Sequence, residues 1–188
     1  MYPYLRLAKL LLMSRRRPKL GFGDRSDLPM RVWPGDLDAY PEQNNGRHLT
    51  LMDLGRYDFA VRCGLYKVVR ERKWAFMIAG SSARFRHRLK PFQRYTLCSK
   101  LLGHDDRFFY FYQFTVSGGV GGKGRTTHSS ALIRGALARR DGLVPIAEVT
   151  RALGEEGWSP PLPEWAQAWI DAEEMRPWPP HEYELTAG

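Results

Sequence analysis

One long helix-forming stretch, followed by four strand-like runs, limits what this chain can fold into. Residues 46–63 place Leu49, Met52, Phe59 and Cys63 near one helix face, and Leu51, Leu54 and Val61 widen the apolar stripe. A helix this apolar needs cover on most of its sides. Asn44 or Asn45 suits its N-cap, and Gly64 its stop. Residues 74–90, 94–102, 107–116 and 125–137 read as strands, the first broken off by Pro91. Within it Phe85, His87 and Leu89 alternate with Arg84, Arg86, Arg88 and Lys90, which predicts two opposite faces. Asp105-Asp106 makes a turn. The glycine-rich 118–125 lacks the spacing of a phosphate loop and reads as a hairpin tip. A helix followed by an antiparallel meander is an α+β pattern, in which the sheet curls around the helix.

The flanks are less regular. Residues 30–33 read as a short strand ended by Pro34-Gly35, and 36–45 as a polar turn. Residues 145–153 and 163–175 form two proline-bounded helices packed on the outside. Residues 18–29 are rich in Gly and charge and read as a linker. The chain thus divides into an N-terminal segment and linker (1–29), a central domain (30–140) and a helical tail (141–188). The first residues are apolar from Tyr2 to Met13 apart from Arg6 and Lys9, and Arg15, Arg16 and Arg17 follow. That run is too short to span a bilayer, and no small-residue cleavage site follows it. Residues 1–17 form either a helix packed on the domain or a basic segment that touches anionic membranes.

Composition narrows the function classes. With 188 residues, 43% apolar and 26% charged, the chain suits one globular domain. Its net charge of +9 attracts phosphates of any origin. No zinc-ligand pattern or RNA-binding run is present, so nucleic acid ranks low as a partner. The aromatic run 108–114 lacks interleaved basic residues and reads as core and sheet interface. Cys63 and Cys98, with no secretion signal, imply free thiols and a cytoplasmic location, or one peripheral to a membrane. His48, His87, His104 and His128 lack ligand spacing, so no metal is expected.

The chemistry-bearing segment runs from Asp36-Leu37-Asp38 through Asn44-Asn45-Gly46 to Asp53 and Arg56. Two carboxylates sit in a turn just ahead of a helix N-terminus, where free N–H groups and the helix dipole favour negative charge. Such a site can hold a thioester carbonyl and the oxyanion formed on attack, while a carboxylate activates water or attacks directly. The same residue types also cap helices and shape turns without further duty. Asp53 can pair with Arg56 at i+3. The basic residues 84–90 are either a solvated face or an edge for coenzyme A phosphates.

The stretch resembles the hotdog-fold thioesterases of the 4-hydroxybenzoyl-CoA type, nearest to the branch like thioesterase superfamily member six. The DLD turn, the NN pair, MDLGR, RCG at residues 62–64 and the run 101–110 match in order, and the likeness covers residues 30–137. It departs at Glu42, where the family carries His, and at His48, where it carries Tyr. The resemblance implies a hotdog fold, α+β, with a long helix wrapped by a curved antiparallel sheet. It implies an acyl-CoA thioesterase in lipid metabolism, with Asp38 as the catalytic carboxylate and the Asn45 N–H on the thioester carbonyl. Asn44, Gly46, Glu42 and Asp53 would shape the substrate site, and Arg86, Arg88 and Lys90 would take the coenzyme A phosphates. It needs no cofactor beyond the coenzyme A of its substrate, and implies a homodimer or a tetramer with the acyl site between subunits. The alternative is a non-catalytic protein that binds acyl-CoA or lipid.

Overall fold

Helix α2 (Asn45–Arg62) is the axis around which the rest is built. The Asn44 side chain accepts from Arg47 N at 3.1 Å and caps it, and Gly64, at φ 88°, stops it in a left-handed conformation that favours glycine. The computed structural model describes residues 2–118 and 124–180. Before α2 come helix α1 (Tyr4–Ser14), strand β1 (Arg25–Arg31) and a short 3-10 turn (Pro34–Asp36). After it come α3 (Leu65–Glu71), β2 (Ala75–Phe85), β3 (Arg94–His104), β4 (Phe109–Ser117), β5 (Thr126–Arg139), β6 (Gly142–Leu143), α4 (Ile146–Leu153) and α5 (Glu164–Met175).

The sheet is antiparallel, in the order β1-β3-β4-β5-β2, with β6 added on β5. Register shifts at Ile78/Gly80, Leu101/Gly103 and Thr115/Val116 mark bulges, which bend strands and help the sheet curl. Its inner face supplies Leu97, Leu101, Phe111, Ile133 and Leu137 to a core shared with Met52 and Phe59 of α2. The outer face meets α5, where Ala166 and Ile170 pack on Tyr110 and Leu132. This is the hotdog arrangement, and the aromatic run lies within it as core: Tyr110 is fully buried.

Several boundaries differ from the sequence reading. β1 begins at Arg25, so part of the expected linker is strand; Pro29 is tolerated because β1 is an edge. The expected strand at 30–33 therefore ends early, at Arg31. Gly64 separates α2 from α3, a helix the glycine stop had concealed. β2 ends at Phe85, and the expected alternation stops there. Arg86 N and His87 N both turn to His128 O, at 2.8 and 3.2 Å, and Leu89 is buried while Phe85 and His87 stay exposed. The glycine-rich tip joins β4 to β5, but its residues 119–123 lie outside the described residues.

Gly55 explains how closely α2 lies on the sheet. A methyl group there would meet Ser99 Oγ, Gln113 Nε2 at 2.9 Å and Leu97. Only glycine lets the helix backbone approach a polar row of β3 and β4.

Candidate functional site

The turn ahead of α2 is a small folded unit. Leu37 bridges Gln43, Asp38 N donates to Glu42 O at 3.0 Å, and Asn44 N donates to Asp36 O at 2.9 Å. The two acids of the pair have different fates. Asp36 is buried and receives Arg6 Nη2 at 2.6 Å, Arg47 Nε at 2.8 Å and Trp33 N at 2.9 Å. It therefore ties α1, the turn and α2 together. Asp38 is half-buried, and its Oδ1 accepts Tyr40 N at 2.9 Å. That bond orients the carboxylate and leaves Oδ2 available. Asn44, Asn45 and Gly46 are exposed, and among the described residues the Asn45 and Gly46 amides have no protein acceptor. The open positive end of α2 is thus in place.

Residues 87–90 pass beside this turn. Gln43 N donates to Leu89 O at 2.9 Å, and Arg88 Nε lies 3.0 Å from Glu42 Oε2. The latter is an ion pair without hydrogen-bond alignment. The expected phosphate residues Arg88 and Lys90 are therefore neighbours of the DLD turn in one chain. Arg86, Arg88 and Lys90 are all exposed. Glu42 holds one of these cations.

Asp53 faces a different cavity. A cleft of about 160 Å³ is lined by Asp53, Arg56 and Tyr57 of α2 and by Phe76, Met77 and Ile78 of β2, with Phe109 and Phe111 behind. Asp53 pairs with Arg56, and burial raises its carboxyl pKa against the lowering effect of Arg56. Arg56 also donates to Gln113, whose Nε2 reaches Ser99 Oγ at 2.7 Å and Met52 O at 2.9 Å. Neither Asp38 nor Glu42, Asn44, Asn45 or Gly46 lines this cleft. Asp38, in the turn ahead of α2, and Asp53 thus occupy separate places; Asp53 lies about 12 Å along the helix axis from Asn45.

Two buried polar clusters escaped the sequence reading. Asp58, fully buried on α2, accepts from Ser14 Oγ and Ser26 Oγ at 2.5 Å, Arg17 Nη1 at 2.8 Å and Arg62 Nη1 at 3.2 Å. Its i+4 partner Arg62 was the only local signal. His48 is buried and satisfied: its Nδ1 shares a hydrogen bond of 3.0 Å with Ser129 Oγ, which shares one of 2.8 Å with Thr115. Burial, then the charge of His128, push its pKa down to about 4. The unfolded ring takes up a proton near pH 6.5, whereas the folded one refuses it until about pH 4. Stability should therefore fall as pH drops through that window, by about 2 kcal/mol between pH 7 and 5. Urea titrations of His48→Gln should show a flatter slope over this range; an unchanged slope would place the effect elsewhere.

Cys63 and Cys98 are free thiols. Among the described residues no group of His, Cys, Asp or Glu could hold a metal ion.

The wrapped helix, the sheet order and the acid turn define a class. The chain belongs to the thioesterase-like superfamily, whose match spans residues 32–170. Among curated relatives it is similar to protein THEM6 of Drosophila melanogaster, 27% identical over 143 residues, or 74% of this chain and 69% of that one. It is also similar to protein THEM6 of Xenopus laevis, 32% identical over 86 residues, where the match spans 46% of this chain and 42% of the relative. Among solved structures, the probable thioesterase YbaW of Escherichia coli superposes with a TM-score of 0.60 at 16% identity, covering 70% of this chain and 97% of that one. A 4-hydroxybenzoyl CoA thioesterase solved with 4-hydroxybenzoyl CoA gives 0.60 at 16% identity, covering 68% and 96%.

Proposed function

We propose that the protein is an acyl-CoA thioesterase acting as a homodimer. The observation that carries this reading is the DLD turn closing on an uncapped pair of amides at the start of α2. In this reading the thioester carbonyl lies against the Asn45 N–H, with Gly46 beside it, and the helix dipole stabilises the oxyanion. Asp38 activates water or attacks the carbonyl itself. Asn44 serves by capping the helix that carries these amides. Arg86, Arg88 and Lys90 take the coenzyme A phosphates, with Glu42 holding Arg88 near the turn. The cleft between α2 and β2, with Asp53 at its polar end, lies about two helical turns beyond Asn45 and would take the far end of a long acyl chain.

The dimer follows from the edge of the sheet. β2 is an edge strand of 11 residues, and its Phe76, Met77, Ile78 and Phe85 are 38–47% exposed. An edge this long and apolar is a hazard unless it is paired. Phe76, Met77 and Ile78 also line the cleft, so a partner strand on β2 would roof it. One chain alone would then hold half a site.

The test is a hydrolysis screen over short, long, branched and aromatic acyl-CoAs, read by thiol release. Turnover of at least one class well above background is expected, and release from none of them would overturn the enzyme reading. A second reading, acyl-CoA binding without turnover, is favoured by Glu42 in the family's His position, already paired with Arg88. Calorimetric binding of acyl-CoA with no thiol release would select it.

A further inference from the structure

Helix α1 is apolar on two sides, and only one of them is covered. Leu7, Leu10 and Leu11 turn inward onto Leu51 and Leu54 of α2, and Arg6 and Ser14 on the same side bond to Asp36 and Asp58. At 3.6 residues per turn, Leu5, Ala8, Leu12 and Met13 fall on the opposite half of the circumference. All four are exposed, Leu5 at 90% and Leu12 at 69%. Scattered surface leucines need no explanation, but a continuous apolar helix face does.

The surroundings say what fits it. Lys9 lies on the same half of α1, and the exposed Arg15 and Arg16 continue from its end. A groove of about 700 Å³ separates α1 from β1, and Lys9, Arg31, Arg94 and Trp33 are among its lining residues. Beside it, Trp33 and Phe92 meet edge to face, both about half exposed, with the Arg31 guanidinium 5.4 and 5.6 Å from their ring centres. The nearby acids Asp36 and Asp58 are buried and fully engaged with arginines, so neither offsets this charge at the surface. Apolar side chains ringed by Lys and Arg, with a tryptophan at the rim, match an interface where hydrocarbon meets anionic headgroups. Among the described residues no helix is long and apolar enough to cross a membrane, so α1 would lie on the surface rather than span it.

The geometry points to α1, with Trp33 and Phe92, as a docking face for the surface of an anionic lipid bilayer. The docking is independent of catalysis; its consequence for substrate rests on the thioesterase reading. Tyr2, its ring tilted against that of Tyr4 at 5.2 Å, has its phenol pushed up to about 12, first by burial and then by the charge of Asp53. The start of α1 therefore lies within electrostatic reach of Asp53, Arg56 and Tyr57, which line the α2–β2 cleft. Docking would bring that side of the cleft towards the bilayer, where long-chain acyl thioesters partition.

The test is sedimentation of the full chain with vesicles of phosphatidylcholine, alone or containing phosphatidylglycerol. Binding is expected only to the anionic vesicles, and it should weaken with added salt. Leu5→Ser combined with Leu12→Ser should lower it by at least about tenfold, because the apolar contact is lost. Arg15→Glu combined with Arg16→Glu should lower it through charge. All four residues are exposed, so melting temperatures should stay near the wild-type value. Wild-type protein left in the supernatant, or equal sedimentation of the serine variant, would overturn the proposal. So would a wild-type mass in ultracentrifugation that drops in the serine variant, since a second copy would then cover the face. Sedimentation without any thiol release would leave docking intact and remove the enzyme reading alone.

Discussion

Replacing Asp38 with Asn should lower kcat on the best acyl-CoA substrate by about a hundred- to ten-thousandfold, the usual range for removing a positioned general base. The substitution keeps the side chain's shape and its acceptor for Tyr40 N, so the turn should hold. Stability is expected to stay close to wild type, because Asp38 is half-buried and takes part in no ion pair among the described residues. KM should change little, since the contacts proposed for the α2 amides and for Arg86, Arg88 and Lys90 remain. Steady-state hydrolysis beside a thermal melt checks both halves. Unchanged turnover in a folded Asp38→Asn protein would remove Asp38 from the chemistry and with it the proposed mechanism.

The second large effect concerns stability. Asp58→Ala would leave two guanidinium groups and two hydroxyls facing a buried gap. Breaking a buried ion pair from one side typically costs about 3–5 kcal/mol. For a chain of this size, that predicts a melting temperature lower by about 10 °C or more. Asp58 joins four side chains from three places: Ser14 and Arg17 at the end of α1, Ser26 on β1 and Arg62 on α2 itself. Denaturant titration of the variant gives the value directly. A loss under about 1 kcal/mol would mean that water replaces the carboxylate at little cost.

Much of the architecture could be read in the residues because its signals are local. The apolar stripe of α2, its Asn44 cap and its Gly64 stop lie within a few positions of one another, and each strand of the meander carries its own pattern. The turn residues of the site were legible for the same reason. What escaped was what depends on distance along the chain. Asp58 looks like one more charge on a helix until Ser14, Arg17 and Ser26 arrive from more than 30 positions away. β1 was shortened because Asp27 and Pro29 argue against strand, yet an edge position tolerates both. The alternation in 84–90 looked like strand, but Leu89 is drawn into the core while the backbone leaves the ladder. The cleft near Asp53 had no sequence signal, because its walls come from α2, β2, β4 and β5 together.

The double hold of Asp36 by Arg6 and Arg47 bears on how the protein can be trimmed. The stretch shared with the superfamily begins at residue 32, so a fragment cut there would look complete by homology. It would lack Arg6, Arg17, Ser14 and Ser26, which are four of the seven donors to the two interior acids. Such a fragment would leave each interior acid with a single arginine, one of them in the turn that presents Asp38, and inactivity in it would report on the missing tethers, not on the reaction.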